Sequence, residues 1–184
     1  MAREALELAR LCVQFLPEEP EARGLLALLL YCESRQGARR MDGRYIPLSE
    51  QPPERWNLDF VNEAEAVLMG AARWQSLGRF QLEAAIQSMH SQRCFHRPTD
   101  WEALVVLYRG LLQVAPTLGA WVGYAAALAE TFNAQVGLDH WISCLPSLGR
   151  PWRPINPIGP CKPTSCTDWD RRPRPKPPIN GPST

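Results

Sequence analysis

The placement of proline constrains this chain most: eleven of its eighteen prolines follow residue 140, among them Pro146, Pro151, Pro154, Pro157, Pro160 and Pro163. Each proline removes a backbone donor and clashes with the preceding turn, so no helix survives at that spacing. Residues 141–184 are expected to form a disordered Pro/Arg-rich tail, and residues 1–140 the ordered body. Charge divides at the same place. The body carries 13 arginines, no lysine and 17 acids, a net −4, whereas the tail carries 7 bases against 2 acids, a net +5. A mildly acidic body lacks the clustered cations that phosphate binding requires, so direct, specific DNA binding by this chain is not expected.

Within the body the apolar residues recur at helical spacing. A length of 184 residues with 45% hydrophobic content is enough for one real core. Ala5, Leu8, Ala9, Cys12, Phe15 and Leu16 predict a first helix over residues 2 to 16, broken by Pro17 and Pro20. The run after Glu21 is apolar nearly all round, which predicts a helix enclosed by others and a helical hairpin with the first. Residues 37 to 56 contain Gly37, Asp42-Gly43, Pro47, Pro52 and Pro53, and read as an ordered loop with a short extended piece at Tyr45, Ile46 and Leu48. A third helix is expected from Asn57 or Asp59 to about Leu77-Gly78, with Phe60, Ala64, Val67, Leu68 and Ala71 inward. A fourth covers residues 80 to 90, with Leu82, Ala85, Ile86 and Met89 on one face. Thr99-Asp100-Trp101-Glu102 has the form of a capping box with Thr99 as the cap, which predicts a helix carrying Leu104, Val105, Leu107, Tyr108, Leu111 and Leu112 to its core. Pro116 ends it, and another helix begins at Leu118.

Chemistry-bearing groups are few. His90, Cys94 and His96 supply three candidate metal ligands where a structural zinc site takes four, and they read as a helix end and its loop. Cys161 and Cys166 have poor metal spacing, and Cys12 and Cys32 sit in apolar helical patterns, as thiols do in a reducing compartment. Trp74-x-x-Leu77-Gly78 has the opening of a tetratricopeptide repeat, although Gln81 stands where the next aromatic belongs. Trp74, Phe80 and Trp101 are read as core packing. No nucleophile elbow, phosphate-cradling glycine loop or paired carboxylates in a recognisable frame occurs, so no enzymatic activity, cofactor, metal or small-molecule substrate is expected. Met1-Ala2-Arg3-Glu4 runs straight into a helix with no apolar leader, and the longest apolar run, Leu25 to Cys32, is far short of the roughly 20 residues a membrane span needs. A cytoplasmic protein without membrane contact is expected.

Several stretches together resemble a known family. Asp42-Gly43-Arg44-Tyr45-Ile46-Pro47-Leu48, then Gln51 and Trp56, is similar to a loop of extracytoplasmic-function sigma factors of the sigma-70 type that carry a tetratricopeptide-like C-terminal extension. There it reads Asp-Gly, apolar residues, then Leu-x-x-Gln-Asp-Arg-x-x-Trp. Phe80-Gln81-Leu82-Glu83-Ala84-Ala85-Ile86 with His90, and Thr99-Asp100-Trp101 with Leu107-Tyr108, continue the resemblance to about residue 140. Pro52-Pro53 replaces the family's Asp-Arg, and Trp121-Val122-Gly123-Tyr124 lacks its usual Asn. The resemblance implies stacked helical hairpins with one ordered loop, acting as a regulatory or protein-contact module behind regions that bind RNA polymerase and promoter DNA. Those regions are expected to be missing here, because Met1 falls where the extension's first helix begins. Implied partners are the sigma regions themselves, or an RNA polymerase-associated or regulatory protein. Candidate binding residues are Asp42, Gly43, Leu48, Gln51 and Trp56 in the loop, with Gln81, His90, Asp100 and Trp101 as scaffold. A free-standing helical-repeat interaction module unrelated to transcription is the alternative.

The family pattern continues helically after residue 140, whereas this chain turns to Pro and Arg. Codons read one frame over permit Leu-Asp-Gln-Leu-Pro from Trp141 and a longer Ala/Leu-rich helical pair beyond, so the tail is read as a frameshift. Some steps are forced: Asp168-Trp169 gives Leu and Trp169-Asp170 gives Gly. The last helices are then expected to lack their next repeat, leaving Val122, Ala126, Leu128 and Phe132 short of partners.

Overall fold

The computed structural model describes residues 2–144, and its first two helices are set by proline. Helix α1, Ala2–Phe15, stops before Pro17, and α2, Pro20–Ser34, begins on Pro20, where the missing N–H has no partner to lose. The Glu19 carboxylate accepts the Glu21 N–H at 3.2 Å and caps α2. Five further helices follow: α3 Leu58–Ala72, α4 Arg79–Ser91, α5 Trp101–Val114, α6 Leu118–Thr131 and α7 Ala134–Cys144. Apart from the longer loop between α2 and α3, short connections fold neighbours back on one another, which gives an all-α stack of hairpins. The apolar α2 lies against α1, α3 and α4, with Leu30 and Tyr31 fully buried.

Two apolar clusters form the core. Leu6, Ala9, Leu26, Leu30, Tyr31, Val61 and Ala84 make the first, and Leu82, Ile86, Leu104, Leu111, Tyr124 and Leu128 the second. Helix α4 feeds both and is the wall they share. Its seat on α2 is close: a Cβ on Gly24 would lie 2.6 Å from the Gln81 backbone nitrogen. One turn earlier, the Glu21 carboxylate accepts the N–H groups of Phe80 at 2.9 Å and Gln81 at 3.1 Å. Gly78, at the N-cap of α4, has no side chain to do this, so α2 supplies the cap and a negative charge at the helix's positive end. A three-helix clasp adds to it, because the Glu65 carboxylate of α3 accepts the Tyr31 hydroxyl at 2.5 Å and the Ser88 hydroxyl at 2.9 Å. Burial pushes the Tyr31 phenol upward in pKa.

The core faces of α3 and α5 match the sequence reading, and Asn57 caps α3 by accepting the Asp59 and Phe60 N–H groups. Other expectations need correction. Helix α1 buries Leu6 and Ala9 and packs Val13, while Leu8, Cys12, Phe15 and Leu16 face out. The helix carries two apolar stripes, and Arg10 selects between them by a two-pronged ion pair with Glu63 of α3 at 3.0 Å. The cap of α5 is Asp100 rather than Thr99: Asp100 Oδ1 accepts the Ala103 N–H at 2.9 Å. Helix α3 ends at Ala72, short of Leu77, and Trp74 beyond it is 45% exposed rather than core. Helix α7 runs across the expected boundary at residue 140, through Trp141 to Cys144. Val122, Ala126 and Phe132 are exposed as expected, but Leu128 is buried in the second cluster. The expected disorder beyond that helix, and the cysteines at 161 and 166, lie outside the described residues.

Candidate functional site

The loop after α2 is ordered by turns rather than by regular structure. A 3-10 turn, Gln36–Ala38, leads into a small hairpin of β1, Arg40–Met41, and β2, Arg44–Tyr45, with Arg40 opposite Tyr45. Asp42 at φ 50° and Gly43 at φ 76° form its tip, since both central residues of such a turn need the left-handed region that Asp tolerates and Gly favours. Two more 3-10 turns, Leu48–Glu50 and Pro53–Arg55, carry the chain back to α3.

Arg93, just past the end of α4, fastens this loop. Its guanidinium donates to the carbonyl of Leu48, to that of Ser49 at 2.9 Å and to that of Gln51 at 3.4 Å. Gln51 is buried and donates from Nε2 to the Ile46 carbonyl at 2.9 Å, and the Asn57 N–H donates to the Ser34 carbonyl at 2.8 Å. Arg93→Ala should therefore free the loop without melting the helices, at a cost of about 1–3 kcal/mol. Hydrogen exchange should show amides 46 to 51 losing protection while α2 and α4 keep theirs. Unchanged exchange in the loop would remove Arg93 from this role.

Beneath the loop lies a cationic seam. Arg35 is nearly buried, has no carboxylate partner among the described residues, donates to Gln87 Oε1 at 2.6 Å and lies 5.6 Å from the Trp56 ring centre. Desolvation holds its pKa below the usual arginine value. His90 sits edge-on to Trp101 with centroids 6.0 Å apart, and burial, reinforced by Arg35 and Arg93, pulls its pKa down to about 4. Gln51 Oε1 and Trp56 Nε1 are buried without a hydrogen-bond partner among the described residues. Beside the loop an open polar cleft of about 520 Å³ is lined by Arg3, Glu33, Ser34, Gln36, Arg55 and Asn57.

The structure thus sorts the nine candidate residues. Leu48, Gln51, Trp56, His90 and Trp101 belong to the fastened loop and the seam under it. Asp42 and Gly43 stand at the exposed hairpin tip, and Asp100 is a helix cap. Gln81 lies at the other end of α4, donating to the Ser76 carbonyl at 2.6 Å and to Glu21 at 3.3 Å. Arg35, Arg93 and Glu21 were missed, and no local sequence pattern marks them, because their partners lie far away in the chain. Among the described residues no three His, Cys, Asp or Glu side chains are grouped to hold a metal ion, and no helix is long and apolar enough to cross a membrane.

A separate feature is the outward stripe of α1, with Leu8 at 63%, Leu11 at 45% and Phe15 at 79% exposure, continued by Leu16 at 53% just past the helix end. The spacing puts Leu8, Leu11 and Phe15 on one helix face, with Glu4 and Glu7 exposed on the same helix and Glu18 and Glu19 beyond its end.

Residues 1–72, from α1 through α3, match a family of unknown function, DUF6596, which in other proteins follows sigma-factor regions. An uncharacterised protein of Rhizobium meliloti (strain 1021) is 33% identical over 136 residues, which cover 73% of this chain and 32% of that protein. The chain thus spans about a third of the length of the curated relative it matches. No solved structure matches it.

Proposed function

We propose that the helical body is a C-terminal regulatory module of a bacterial sigma factor, a non-enzymatic, cytoplasmic element that acts in transcription initiation through protein contact. The matched family supports this reading because it follows sigma-factor regions in other proteins, and α1 opens the matched segment. The observation that carries the proposal is the exposed stripe of Leu8, Leu11, Phe15 and Leu16. A contiguous apolar face rimmed by acids suits a helix with an apolar face and a basic rim, and burying such anchors is what fixes a protein contact. Reading the promoter falls to the sigma regions, while Arg93 keeps the loop in one shape.

The test titrates the full chain against purified sigma-factor regions from a protein in which the same family follows them. A complex with a dissociation constant on the order of micromolar is expected, weakened roughly tenfold or more by Leu11→Glu or Phe15→Glu. Both side chains are exposed, so circular dichroism should be unchanged. Absence of a complex, or one indifferent to both substitutions, overturns the reading.

A further inference from the structure

Among the described residues nothing covers the outer face of the α6–α7 hairpin. Leu118, Val122 and Ala126 are four residues apart along α6, and Leu138 and Ile142 are four apart along α7. The seam between the two helices is marked by Gly137, where a Cβ would lie 2.5 Å from the Ala125 carbonyl oxygen and 2.8 Å from the Ala129 Cβ. Helical rotation from that seam brings both rows to the same side of the antiparallel pair, opposite buried Ala120 and Ala127. Leu118, Val122, Leu138 and Ile142 are each 49–53% exposed, and Phe132 at the turn is 66% exposed. Glu130 continues the α6 row one turn past Ala126, and no charged side chain interrupts the rows before it.

We propose that this face is a homodimer interface, in which two copies of the chain pack their α6–α7 hairpins across a twofold axis. The exposed side chains present an apolar area on the order of 500 Å², at the upper end of what a monomer leaves in water. Doubling it across a twofold axis buries on the order of 1,000 Å², the lower bound for a specific interface. Such a pairing is closed and self-complementary, with each aliphatic row meeting its own counterpart. Glu130 and Asp139 are exposed near the rim, where salt screens their mutual repulsion.

Sedimentation of the full chain should show a species of twice the 20.7 kDa monomer mass, persisting in about 0.5 M salt. Val122→Glu or Ile142→Glu should shift the dissociation constant upward by about tenfold or more, with helical content retained. Leu11→Glu, at the far end of the stack, should leave the dimer intact. Hydrogen exchange of the unaltered chain needs no variant: protection along residues 118 to 142 should rise with concentration. The proposal is overturned by a monomer at about 100 μM, by a dimer lost in salt or in the Leu11 variant, or by concentration-independent exchange. A chain shortened after Cys144 that dimerises when the full chain does not would overturn it as well, by showing that the following segment covers the face.

Discussion

Gly24→Leu should destabilise the protein by about 3 kcal/mol or more, a drop in melting temperature of roughly 6–12 °C. A Cβ at this position would lie 2.6 Å from the Gln81 nitrogen and 3.0 Å from the Phe80 carbonyl carbon, both backbone atoms, so α4 must move rather than a side chain turn aside. Moving α4 also withdraws Phe80 and Gln81 from the Glu21 carboxylate, which adds the loss of a cap to the steric cost. The gain in helix propensity on leaving glycine, about 1 kcal/mol, offsets only part of this. Gly110→Ala is the control: there a Cβ would meet Leu82 Cδ2 at 3.5 Å, an ordinary contact, and the propensity gain should leave stability unchanged or slightly raised. Thermal melts of the two variants should differ widely. Equal melting temperatures would mean that α2 and α4 do not touch as described.

Acid should weaken the protein as the pH falls below about 6.5. His90 titrates near 4 in the fold because burial, with Arg35 and Arg93 close by, disfavours the imidazolium, whereas an unfolded histidine titrates near 6.5. The folded value is the lower one, so the unfolded chain takes up the proton first. Stability from the neutral imidazole is complete above about 6.5 and is lost as the pH falls from there toward 4. Between pH 6.5 and 5 the loss should be about 1.5 kcal/mol, read from urea midpoints at each pH. In His90→Phe, which keeps an edge for Trp101 but cannot protonate, that slope should disappear. The same slope in both proteins would show that His90 is not held neutral by burial.

How far the sequence spoke depended on how many faces each helix could bury. Helices α3 and α5 each offer one apolar face, and Ala64, Ala71, Leu104, Val105 and Leu111 are buried where periodicity put them. Helix α1 offers two, and the choice is made by an ion pair between Arg10 and Glu63, 53 residues apart. Periodicity contains no term for that. The loop was legible as a loop from Pro47, Pro52, Pro53 and Asp42-Gly43, because those residues act on their own backbone. What fastens it was not: Arg93 reaches Leu48 across 45 positions, and Glu21 reaches Gln81 across 60. Asp100 displaced Thr99 as a cap because two adjacent residues can both cap, Asp somewhat better than Thr, and they differ in where the turn falls by one residue. The family-like residues Gln51 and Trp56 stood out in the sequence, and the structure gives them a reason within the fold, as buried pins of a loop that has no core of its own.

The wall that α4 makes between the two apolar clusters bears on how the molecule comes apart. A stack whose repeats meet only at their borders can fray unit by unit, each step costing its own small amount. Here Ala84 faces one cluster and Leu82 and Ile86 the other from a single rod, with the rod's first turn held by Glu21. Losing either cluster strips one side of that rod and loosens the other. The α1–α6 portion should therefore denature as one cooperative foldon, and a partner gripping α1 would raise the resistance to opening as far away as Leu104.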